Sequence, residues 1–179
     1  MVISNATKTQ VSILGSSFLQ PTADLISKLC AEPKPRIKSA NSTPYEQGYS
    51  ASIVLLLVAM LESYVVRVRY SQGKSVPDKE RTALAVLEHC YPKFRNQFAL
   101  TEVYILRDVI FHNHLWEIQY TWNEKPGSKL TSAAKHPAFG DKKYDTRVDL
   151  ARRRTKTLGL SIIPTSVNRT DAMKVFKTV

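Results

Sequence analysis

Cysteine is scarce in this chain. Cys30 and Cys90 are the only two among 179 residues. No CxxC pair exists, and two isolated thiols fit a reducing cytoplasm better than a disulfide scaffold. The amino terminus lacks the basic-then-apolar pattern of a signal peptide, so the three Asn-x-Thr triplets at Asn5, Asn41 and Asn168 are read as chance. Long uninterrupted apolar runs are missing as well. Ile53–Leu61 is continuous, but Glu62, Arg67 and Arg69 follow it too soon for a bilayer span. The run therefore predicts a core helix and no membrane partner. Internal repeats and low-complexity tracts are absent. Together these gaps predict a soluble cytoplasmic protein.

Negative charge is the other shortage. The chain has 26 Lys and Arg against 15 Asp and Glu, a formal net charge of +11. Apolar residues make up 43% and charged residues 23%, which describes a globular chain with a real core and excludes a disordered one. The positive excess favours an anionic partner: nucleic acid, an acidic protein or a membrane surface. Residues 125–157 hold ten basic residues against three acidic ones, with Arg152, Arg153 and Arg154 in succession. That segment is either a solvated surface kept for solubility or a set of phosphate contacts.

Residues 1–44 read as an arm that packs on the main domain or on a partner, with a short helix over Thr22–Cys30 stopped by Pro33 and Pro35. The main domain, 45–179, begins with a long helix from Tyr45 to about Ser71, apolar on nearly every face between Ala51 and Leu61. Lys79–Tyr91 is amphipathic, and a further helix ends near Leu115. Trp116, Ile118, Tyr120 and Trp122 then alternate with polar residues, a period of two that predicts a strand. Lys125–Ser128 supplies a turn for a small hairpin. Arg147–Thr157 is expected to be helical, and Asp171–Val179 forms a last helix. The chain stops within an apolar stretch, which is compatible with a longer native protein. The fold class is mainly α: a helical bundle with a small β-hairpin and a basic C-terminal extension.

The segment Arg107-Asp108-Val109-Ile110-Phe111-His112-Asn113-His114 stands out from this background. Apolar residues surround it on a helical wheel, so it predicts a buried helix that nonetheless carries an arginine, an aspartate and two histidines. Buried charge is costly unless paired, so such a cluster needs a reason. Asp108 and His112 are four residues apart and share a face, where the carboxylate would orient the imidazole and raise its basicity. Arg107 lies on an adjoining side, its fork long enough to reach a phosphate. His114 returns to the arginine's face.

Arg107-x4-His112, with the polar Asp108 directly after the arginine, resembles the HEPN superfamily, whose motif is an arginine, four to six residues and a histidine. The apolar helix ending in Leu61-Glu62-Ser63-Tyr64 looks like that family's earlier core helix, and the resemblance covers roughly residues 45–118. Where some members carry a modifiable tyrosine two residues after the histidine, this chain has His114.

The resemblance implies a HEPN-like helical bundle and a metal-independent endoribonuclease needing no cofactor. It would act as a homodimer with a composite site, often as a toxin or an anti-phage defence effector. RNA brings its own nucleophile, the 2′-hydroxyl. His112 would serve as general base or acid, Arg107 would stabilise charge on the phosphoryl oxygens, and Asp108 would hold the His112 ring. His114, Arg152, Arg153 and Arg154 are the expected substrate contacts. A strongly acidic antitoxin or regulatory protein would complement the net charge.

Plainer readings exist for the same residues. Arg107 with Asp108 can be a structural ion pair, His112 a satisfied core histidine, and His114 a helix-end residue. Glu62 and Arg67 read as charged exits from an apolar helix, although Glu62 can also project toward the same cleft. His112-x-His114 on a helix points its rings to different sides and suits chelation of zinc poorly. Trp116, Tyr120 and Trp122 fit a packed strand face better than a stacking platform. The rival functions are a non-catalytic HEPN-type dimerisation or RNA-binding module, and a basic accessory subunit.

Overall fold

The long apolar helix is the axis of the molecule. In the computed structural model, which describes residues 14–33, 42–73, 76–77, 82–111, 116–123, 127–135 and 142–179, it runs Pro44–Gln72 and is here called α2. The Thr43 hydroxyl accepts the Glu46 N–H at 3.2 Å and Pro44 occupies the first turn, a start signal in both residue types. Gly73 ends it at a positive φ of 56°, a conformation that L side chains rarely adopt.

Around α2 pack α1 (Leu19–Ala31), α3 (Ala83–Cys90), α4 (Gln97–Phe111) and α6 (Arg169–Thr178), with a short α5 (Lys142–Arg147) against α4. Strands β1 (Trp116–Asn123) and β2 (Gly127–Lys135) pair antiparallel as the expected hairpin, with a register shift between Gln119 and Tyr120. The described residues are thus mainly helical, with the small hairpin in its predicted place. The core joins Ile53, Val54, Leu57 and Val58 of α2 to Val103 and Leu106 of α4, with Leu160, Val167 and Val175 from the C-terminal segment. Leu29 of α1 is buried in the same cluster, so the N-terminal region contributes to this core.

Two expectations need correction. Arg147–Thr157 is not helical. The chain leaves α5 at Arg147 and turns back through two short antiparallel strands, β3 (Val148–Asp149) and β4 (Arg154–Thr155). Val148 and Thr155 are the buried members of those strands, and Asp149 accepts the Arg152 N–H at 3.0 Å across the turn. Those local bonds outcompete a helix there. Arg153 sits in the turn at φ 54°, the one non-glycine residue with positive φ among the described residues. Arg153→Gly removes that conformational cost and is expected to raise stability by up to about 1 kcal/mol, read as a Tm at or above that of wild type.

α2 is long and apolar enough to cross a membrane by length and composition, and Ile53, Val54, Leu57 and Val58 of its apolar run lie in the core. The second correction concerns α4, which is not buried all round: Phe98 and Phe111 are exposed at its two ends.

Buried carboxylates, rather than apolar contacts alone, fasten the C-terminal segment. Glu102, fully buried on α4, accepts the backbone N–H of Thr157 and of Leu158, both at 2.7 Å. Glu46 at the start of α2 accepts the Arg169 N–H at 3.2 Å, with the Arg169 guanidinium 3.6 Å away. Asp171 accepts from Ser161 and Asn168 at 3.1 and 3.2 Å and completes a capping box at the start of α6. Lys174 closes the arrangement by donating to the Leu158 carbonyl at 2.6 Å.

Burial pushes the Asp171 carboxyl above its ordinary range, against the opposing pull of those two N–H donors. The folded chain therefore holds this proton more readily than the unfolded chain. The associated stability is present below the unfolded carboxylate range and is lost as pH rises through the folded value. Thermal melts of wild type and Asp171→Asn should diverge accordingly, the wild type gaining on the variant as pH falls toward the ordinary carboxylate range.

Candidate functional site

α4 presents two opposite faces, and the residues of interest divide between them. At 3.6 residues per turn, Tyr104, Arg107, Asp108 and Phe111 fall on one side, while Glu102, Ile105 and Val109 fall on the other. Ile105 and Val109 pack on Tyr144, Val148 and Ile162 beneath the β3–β4 turn. Arg107 instead looks toward α2 and α3.

There a cleft of about 570 Å³ opens between the three helices. Glu62, Val66 and Arg69 line it from α2, Leu84 from α3, and Tyr104, Arg107 and Asp108 from α4. The Arg107 guanidinium is held at both ends of its fork. Nη1 donates to Oδ1 of Asp108 at 2.6 Å, and Nη2 donates to Oε1 of Glu62 at 3.3 Å. Its Cζ lies 5.9 Å from the Tyr104 ring centroid, within cation–π range. The two carboxylates differ in kind. Asp108 is the nearer and better buried, its side chain 18% exposed, whereas Glu62 belongs to another helix and is 44% exposed. Asp108 thus fixes the guanidinium, and the Glu62 contact is the longer and more exposed of the two.

Tyr104 completes the group. Burial first, then the Glu62 carboxylate, raises its phenol above the ordinary value, with Arg107 pulling the other way. It stays protonated and can act as a donor. The hydroxyl is buried and has no hydrogen-bond partner among the described residues, which calls for an explanation.

The expected site residues that fall among the described ones can now be placed. Arg107 and Asp108 come together at the cleft, and Asp108 meets the arginine that precedes it. α4 is described to Phe111, so His112 and His114 lie outside the described residues. Arg152, Arg153 and Arg154 belong to the β3–β4 turn on the far side of α4, so one chain does not bring them to Arg107. Arg152 projects into solvent beside Asp149, at 3.5 Å, and Arg154 donates to the Gly159 carbonyl at 2.8 Å. Arg147, at the end of α5, stacks on the exposed Phe98 ring at 3.5 Å. Among the described residues no group of three or more His, Cys, Asp or Glu could hold a metal ion.

Sequence reasoning allowed for Glu62 but passed over Arg69 and Tyr104 as site residues. Glu62 and Arg69 stand seven apart on α2, two turns on one face, and that spacing was the available signal. Compared with models of known families, with characterised proteins and with solved structures, the chain matches none.

Glu62→Gln is expected to leave Tm within about 0.5 kcal/mol of wild type, because an ion pair this exposed contributes little. The same change should tighten binding of a phosphate-bearing ligand, read by calorimetric titration with an RNA oligonucleotide. Unchanged affinity would mean that Glu62 does not compete for Arg107.

Proposed function

We propose that this protein is a metal-independent endoribonuclease of HEPN type. In this reading it works in the cytoplasm as a homodimer, with Arg107 and His112 of both protomers lining one composite site. The observation that carries the reading is Arg107: a guanidinium on a core helix, oriented by Asp108 and Glu62, with its fork at the edge of a cleft. Such a group is placed to take the charge that builds on phosphoryl oxygens as the 2′-hydroxyl attacks. His112 supplies general base or acid catalysis, and Asp108 acts through the arginine it positions. The products are a 2′,3′-cyclic phosphate and a 5′-hydroxyl, and DNA is not cut because it lacks the nucleophile. A toxin or defence role, restrained by an acidic antitoxin or regulator, suits the +11 charge.

The surroundings of the cleft favour a dimer. Phe111 is 68% exposed one turn beyond Arg107, and Tyr70 is exposed on the adjoining part of α2. Large apolar side chains around a charged centre suit an interface. Phe111→Asp is expected to yield a folded monomer in sedimentation that no longer cleaves RNA; an intact dimer would remove Phe111 from the interface.

The test of the function is cleavage of a mixed RNA pool in EDTA, wild type beside His112→Ala. Loss of cleavage in the variant alone, with cyclic phosphate ends in the wild type, is the expected result. A folded wild type that cuts nothing would overturn it.

A second reading is favoured by a specific feature. Both ends of the Arg107 fork are occupied by carboxylates from two helices, which is also how a non-catalytic module would clamp α2 to α4. In that reading the exposed Arg152, across α4 from the cleft, serves nucleic-acid binding alone.

A further inference from the structure

The cleft is larger and more apolar than a phosphate contact requires. Val65, Val66, Ala83, Leu84 and Val86 form its floor and walls, while a phosphate needs only the guanidinium at its rim. Arg69 lines the same cleft about 10 Å further along α2 than Glu62, at 1.5 Å per residue over seven residues. Two guanidiniums, that of Arg107 paired with Glu62 and Asp108, therefore flank an apolar hollow of roughly nucleotide size. The Tyr104 side chain, 9% exposed, lines the hollow, with its hydroxyl buried below the surface. A ligand matching all of this is flat and largely apolar and carries an anion at each end.

We propose that the cleft is a subsite for one unstacked nucleotide of single-stranded RNA. The base lies on the Val66–Leu84 floor, and the flanking phosphates meet Arg107 and Arg69. This rests on the ribonuclease reading for its biological sense, but the binding chemistry stands without it. Arg69 is then a substrate-binding residue outside the Arg-x4-His motif. A base paired in a duplex cannot enter the hollow, so the subsite selects loops, bulges and single strands.

The experiment is fluorescence anisotropy with an end-labelled 2′-O-methyl tri-uridylate, read over a salt series, beside the same trimer with an abasic centre. The abasic trimer is expected to bind roughly fivefold to a hundredfold more weakly, the usual worth of one held base. Arg69→Gln, with its fold checked by Tm, is expected to lower the log–log salt slope by about 0.7, one phosphate's share in a single strand. Equal binding of the two trimers, or an unchanged slope in Arg69→Gln, overturns the subsite. The 2′-O-methyl strand has no nucleophile to release, so binding is read whether or not the protein cuts RNA. Loss of the base effect beside intact cleavage of ordinary RNA condemns the subsite alone. A base effect without cleavage condemns the ribonuclease reading alone.

Discussion

Arg107→Ala is expected to slow RNA cleavage by about a hundredfold to a thousandfold, the usual cost of removing one group that stabilises transition-state charge. Alanine alone is ambiguous, since it also removes the guanidinium that bridges Asp108 and Glu62. Arg107→Lys separates the two effects. Lysine keeps the charge, so Tm should recover toward wild type, but it cannot hold two carboxylates and a phosphate through a planar fork. Catalysis by Arg107 therefore predicts a lysine variant that melts normally and still fails to cut. If lysine restores both, the arginine is a clamp. If both variants cut at the wild-type rate, the site lies elsewhere.

Glu102→Ala is expected to be the most destabilising single change at any residue considered so far. It leaves two backbone N–H groups, on exposed Thr157 and half-buried Leu158, without their carboxylate acceptor. Each lost charged acceptor costs about 1–3 kcal/mol, less where water reaches the N–H, and the vacated volume adds to the loss. A total of about 3–5 kcal/mol corresponds to a fall in Tm of roughly 10 °C for a chain of this size. Glu102→Gln offers one carbonyl but sets an amide N–H against a backbone N–H, so it should recover less than half of that. A melting point within about 2 °C of wild type for the alanine variant would show that water serves the turn as well as the carboxylate does.

How much of this was legible in the sequence follows from the range of each interaction. α2, the β1–β2 hairpin and α6 were readable because their signals are local: an apolar run, a period of two, a polar residue ahead of a helix. The β3–β4 turn was misread because Arg152–Arg154 suit a helix by composition, while the bonds that decide the matter come from Asp149 and from burial of Val148 and Thr155. Arg107 with Asp108 was visible as a motif, and Glu62 only as a candidate, since the pairing spans 45 positions. Glu102 gave no signal at all. A glutamate in an apolar helix looks like a solvent-facing residue until its two donors, more than fifty positions downstream, are seen against it.

The carboxylate fastening also constrains how the chain can be made. Glu46 and Glu102 emerge from the ribosome long before their donors at Thr157, Leu158 and Arg169. Until those donors arrive, closing α2 against α4 would bury two charged groups with nothing to receive them. Synthesis of the first hundred or so residues should therefore give a loose, protease-sensitive intermediate, with the core locking only once α6 is free to dock. Arrested nascent chains cut before and after α6 would show that step as an abrupt gain in protease resistance.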